Sequence, residues 1–110
     1  MQADNIIPPQ GTIDYYTRVN ATVGNVDEFY RFFEVPGLAH CFGGWGGQPE
    51  NLFAQLRSWV ENGTAPDVSD YTITDKTGAT QNRIVCAYPK KAVFDGACGD
   101  SSNASCFQCA

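Results

Sequence analysis

Histidine occurs once in these 110 residues, methionine once, and basic side chains number 7 against 12 carboxylates. One imidazole, His40, beside cysteines that read as oxidised, does not supply a zinc ligand set. The shortage of Lys and Arg leaves no basic patch, which removes nucleic acid and anionic membrane surfaces as partners. No apolar run approaches the length of a bilayer span. The first residues, Met1 to Asn5, hold neither a basic region nor an apolar core, so they are no signal peptide. No repeat and no linker divides the chain, and its length suits one domain.

Cysteine, by contrast, is plentiful. Of 5 in the chain, Cys86, Cys98, Cys106 and Cys109 cluster near the end, and Cys41 stands apart. Three Asn-X-Ser/Thr sequons, at Asn20, Asn62 and Asn103, are candidate glycosylation sites. Together they indicate an oxidising, secretory route. A secretory composition without a signal, and an odd cysteine without a partner, lead us to expect a fragment of a secreted protein. Four clustered cysteines allow three pairings, and spacing alone does not choose among them.

Asp4 precedes Asn5-Ile-Ile-Pro-Pro9, whose prolines bar a helix before Pro9 but suit the start of one. From Gln10 to about Val23, the residues Ile13, Tyr16, Val19 and Val23 recur at spacings of three and four, which predicts a one-sided helix ended by Gly24-Asn25. Phe29 to Val35 is nearly continuous in apolar and aromatic residues, and predicts a strand buried on both faces of a parallel sheet. It stops at Pro36-Gly37, three residues before His40, and a glycine-rich loop follows. A second helix is predicted between Pro49 and Asn62, with Leu52, Phe53, Leu56, Trp59 and Val60 as a core-packing stripe. Residues 71–74 and 83–86 predict a hairpin around a polar turn. The tail from Ala87 has little periodicity and would fray unless its cysteines staple it.

The chemistry rests on Asp4 and His40. A lone histidine delivered onto a loop after a strand suits a catalytic base; the competing reading is a structural histidine held by a carbonyl. A hydrolytic triad in the α/β-hydrolase order places the acid on one loop and the base on the loop after the next strand. Asp4, a helix, a strand and then His40 fit those last two places. One such step brings both loops to the same sheet edge, where Asp4 can accept the Nδ1 proton of His40. The competing reading for Asp4 is a helix cap or a solvated loop residue.

The segments Ala3-Asp4-x-x-Ile7-Pro8-Pro9-x-Gly11-x-x-Asp14-Tyr15-Tyr16 and Val35-Pro36-Gly37-x-x-His40-Cys41 carry a resemblance. So do Leu56-x-x-Trp59-Val60-Glu61-Asn62-Gly63-x-Ala65-Pro66, Arg83-x-x-Cys86-x-Tyr88-Pro89 and Phe107-x-Cys109. Over nearly its whole length the chain resembles the C-terminal part of the tannase and feruloyl esterase family. The resemblance implies an α/β fold, residues 1–110 being the C-terminal portion of an α/β-hydrolase catalytic domain. It implies Asp4 as triad acid, His40 as general base, and Cys41 in a disulfide to a cysteine directly before the nucleophilic serine. It further implies that Cys86 pairs with Cys109, which leaves Cys98 with Cys106.

The departure is equally informative. No Gly-x-Ser-x-Gly or Cys-Ser-x-Gly-Gly occurs, and Ser58, Ser69, Ser101, Ser102 and Ser105 lack that context. The nucleophile, the oxyanion hole and the lid domain, which in this family holds calcium, are expected outside these residues. No cofactor or metal is expected within them. Substrates implied are phenolic esters, feruloyl or galloyl, in small molecules or plant polymers, and the fragment alone is expected to be inactive. Two alternatives stand beside this: an independent secreted cysteine-rich binding module using Trp45 in its glycine loop, or an inactive truncated gene product.

Overall fold

The computed structural model describes residues 3–40 and 42–110. Helix α1 spans Pro9–Val23, with proline in its first turn, where the missing N–H costs nothing. It ends at Gly24, whose N–H donates to the Asn20 carbonyl at 2.9 Å and whose φ of 70° suits glycine. Of its four periodic apolar residues only Tyr16 is buried. A single 3-10 turn over Val26–Glu28 then reverses the chain.

Residues 30–35 are extended, and among the described residues no parallel strand lies beside them. Their ladder contacts are one antiparallel bridge, Phe33 to Ala87, and the Tyr88 N–H donating to the Phe32 carbonyl at 2.7 Å. Among the described residues the aligned segment runs the opposite way and offers only two residues. The two faces are nevertheless both occupied, with period-2 alternation. Tyr30 and Phe32 face α1, meeting Tyr16 at centroid distances of 5.2 and 6.1 Å. Phe33 and Val35 face the other way, into a core with Leu38, Tyr71 and Val85.

That core belongs to an antiparallel hairpin, β1 Val68–Thr74 and β2 Thr80–Cys86, in register from Val68 opposite Cys86 to Thr74 opposite Thr80. Each strand of the hairpin is three residues longer than its β-branched run indicates. Its turn is organised by Asp75, whose Oδ1 accepts the N–H groups of Thr77 and Ala79 and the Thr77 hydroxyl. The tail contains a second small sheet, β3 Ala92–Phe94 antiparallel to β4 Phe107–Cys109, which periodicity did not reveal. Disulfides join Cys86 to Cys109 and Cys98 to Cys106, the first tying the end of β2 to β4.

Helix α2 runs Leu52–Asn62. It starts later than predicted because Pro49 is buried in a bridge to Tyr71. The core-packing reading of its stripe is corrected too: Leu52, Phe53, Leu56 and Val60 are exposed, Val60 to 80%. Only one face edge is engaged. The Gln55 amide donates to the Val68 carbonyl at 2.8 Å, and Trp59 lies under the Arg31 guanidinium. Accessible surface totals 7264 Å², against about 6,000 Å² for a compact chain of this mass. No helix is long and apolar enough to cross a membrane among the described residues.

Candidate active site

Asp4 lies on the loop before α1, and its carboxylate is fixed on both oxygens. Oδ1 accepts the backbone N–H groups of Ile6 and Ile7, each at 2.8 Å. That is an Asx-type turn, the local structure a short acidic side chain makes ahead of two free amides. Oδ2 is left for His40, whose Nδ1 lies 2.9 Å away. Thirty-six residues of chain separate the partners. The loops are stitched by the Ala3 N–H donating to the Leu38 carbonyl at 3.1 Å.

Burial differs across the pair: the Asp4 side chain is 1% exposed and that of His40 38%. The Ile7 N–H first, then the His40 contact, hold the Asp4 carboxyl down at about 2 from 3.8, against a smaller opposing push from desolvation. An ionised carboxylate only accepts, so Nδ1 of His40 is the donor. The neutral imidazole then carries its lone pair on Nε2. The arrangement can take a proton from a group placed at Nε2 and stabilise the imidazolium that results.

The loop beyond His40 turns back at once. The Phe42 N–H donates to the His40 carbonyl at 2.8 Å, and the Ala39 N–H to the Gly43 carbonyl at 3.1 Å. Ile6, Ile7, Phe42 and Trp45 lie exposed on the two loops that carry the pair. Cys41 lies outside the described residues. The sequons at Asn20, Asn62 and Asn103 are all exposed. Among the described residues no three His, Cys, Asp or Glu side chains converge.

Residue-type reasoning singled out Asp4 and His40, which the fold brings into contact. It missed the Ile6 and Ile7 amides, for which the signal was the Asp-x-x-x pattern before Pro8. It missed also the backbone partners of His40's loop, which leave no mark on side chains.

Two solved structures superpose on nearly all of this chain. Feruloyl esterase B from Aspergillus oryzae matches 97% of it with a TM-score of 0.82 and 26% identity. Tannin acyl hydrolase from Aspergillus niger matches 97% with a TM-score of 0.74. The fold is therefore of the α/β-hydrolase type, seen in part: the chain spans 25% and 21% of those two proteins. A probable feruloyl esterase of Arthroderma benhamiae is 39% identical over 98% of this chain and 21% of its own length. Mono(2-hydroxyethyl) terephthalate hydrolase of Piscinibacter sakaiensis is 38% identical over 90% of this chain and 17% of its own. The family model for tannase and feruloyl esterase matches residues 1–110, and the chain belongs to that family.

Proposed function

We propose that these residues are the acid–base part of a secreted carboxylic ester hydrolase acting on phenolic esters such as feruloyl or galloyl esters. The observation that carries it is the 2.9 Å contact between Nδ1 of His40 and an Asp4 carboxylate already saturated on its other oxygen. In this reading a serine hydroxyl outside these residues sits at Nε2 of His40. As it attacks the ester carbonyl, its proton passes to Nε2, and Asp4 stabilises the imidazolium. His40 then protonates the departing alcohol. Water attacks the acyl-enzyme with His40 again taking the proton, and the serine is restored. The oxyanion donors also come from outside. Cys41, one residue from the base, is assigned the disulfide that ties its loop to the nucleophile's.

The test is a graft. This chain replaces the matching quarter of the Aspergillus oryzae esterase, and hydrolysis of methyl ferulate and methyl gallate is followed. We expect turnover of at least one ester, its loss in His40→Ala, and a fall of about 10⁴ in kcat for Asp4→Asn, which presents a donor to Nδ1 and reverses the tautomer. A folded, active graft indifferent to His40→Ala ends the proposal.

A further inference from the structure

The glycine-rich segment after His40 connects its loop to Pro49 and α2. Its contacts are of an unusual kind. The Gly37 carbonyl accepts two N–H groups, from Trp45 and Gly46, both at 3.0 Å. Leu38 and Gly44 form an antiparallel bridge. A β-carbon on Gly44 would collide with the Gly37 carbonyl oxygen, and one on Gly46 with the Pro36 carbonyl oxygen. One on Gly47 would collide with the Thr72 carbonyl oxygen of β1. Gly43, at the loop's tip, meets nothing within 4 Å.

Three glycines are thus needed for close approach of backbone to backbone, and the fourth is not. The approach has a direction. Gly44 and Gly46 press on the leg that rises to His40, while Gly47 presses on the hairpin. Leu38 in that leg is buried in the hairpin core, and its carbonyl receives the Ala3 N–H next to Asp4. The Lys76 ammonium, on the β1–β2 turn, lies 4.7 Å from the Trp45 ring centroid and closes the same loop onto the hairpin.

From this we infer that residues 44–47 are a positioning clamp, in which Gly46 and Gly47 lock the His40 loop against β1 and so hold the imidazole on the Asp4 carboxylate. The role rests on His40 being the base, but the geometry it asserts does not. A loop rich in glycine for mobility would have room for β-carbons anywhere along it; in this one only the tip, Gly43, has that room, and its φ of 75° restricts the replacement to a residue that accepts a left-handed backbone.

The chain's single histidine makes the test clean. In the ¹⁵N-labelled 110-residue protein, at a pH where the imidazole is neutral, long-range ¹H–¹⁵N correlation reads both ring nitrogens. The wild type is expected to hold the Nδ1–H tautomer at least about tenfold over the other, the bias of one charge-assisted hydrogen bond. Gly46→Ala and Gly47→Ala are expected to bring that ratio near parity. Gly43→Asn, which suits the left-handed backbone at φ 75°, leaves it unchanged. Folded Gly46→Ala and Gly47→Ala proteins with wild-type tautomer ratios overturn the clamp. Should both variants fail to fold, amide exchange in the wild type decides. The Ala39, Trp45 and Gly46 amides must be protected together; free exchange overturns the clamp as surely. In the active graft, Gly47→Ala is expected to lower kcat with KM unchanged. An inactive wild-type graft rejects the esterase reading while the tautomer result still stands.

Discussion

Helix α1 connects the Asp4 loop to the segment that leads to His40, yet Tyr16 is its only buried residue, at 5% exposure. That ring meets Tyr30 at 5.2 Å, Phe32 at 6.1 Å and Tyr88 edge-on at 5.5 Å. Replacing it by alanine removes an aromatic side chain from a packed site, which costs about 3–5 kcal/mol. Three ring pairs would each add up to about 1 kcal/mol if they were independent, but they share one ring, so we take about 4 kcal/mol in all. A chain of this length has about 5–15 kcal/mol to lose. In urea, with a slope near 2 kcal/mol/M, the midpoint should fall by about 2 M. Tyr16→Phe keeps the ring and should stay within about 1 kcal/mol of wild type. Tyr15, 62% exposed one residue earlier, is the internal control: Tyr15→Ala should cost less than about 1 kcal/mol. Equal losses for Tyr15→Ala and Tyr16→Ala, or a loss below about 1 kcal/mol for the latter, would refute single-ring docking of α1.

Asp4 titrates at about 2 when folded against 3.8 when free, so its contribution is complete above the higher value and lost as pH falls through the lower. Acid unfolding followed by tryptophan fluorescence should therefore lose part of its steepness in Asp4→Asn; Asp75 and Asp100, whose carboxyls are lowered by Thr77 and Ser102 contacts, act in the same direction. The Cys86–Cys109 link closes a separation of 23 residues, and its removal by paired alanines should cost about 3.5 kcal/mol from loop entropy, read from urea midpoints. The shorter Cys98–Cys106 link, across 8 residues, should cost about 2.5 kcal/mol in the same assay. On α2, Leu56→Lys and Val60→Lys should leave stability within about 0.5 kcal/mol and reduce light scattering of the 110-residue protein; a loss above about 1 kcal/mol would mean the face is packed.

Legibility followed the range of the interaction. Both helices carried their marks locally: the proline start and Gly24 stop of α1, the 3.6 period and Asn62-Gly63 stop of α2. The hairpin was marked by two β-branched runs about a polar turn. Segment 29–35 has no parallel neighbour among the described residues, because strand pairing depends on a partner segment that no property of Phe29 to Val35 encodes. The α2 stripe was misjudged for the same reason, since amphipathicity says a face seeks cover but not where the cover lies. The β3–β4 pair escaped notice because three-residue strands have no period to read.

The identity of the two groups proposed to react was legible in the sequence alone. Only one imidazole exists, and Asp4 stands one helix and one extended segment before it. What the fold alone decided is their meeting: a contact across 36 residues, and the aim of a carboxylate whose other oxygen two amides occupy. Side-chain chemistry is written residue by residue. The carbonyl-to-glycine approaches that hold His40 in place are made by backbone, which every residue shares, so only folding reveals them.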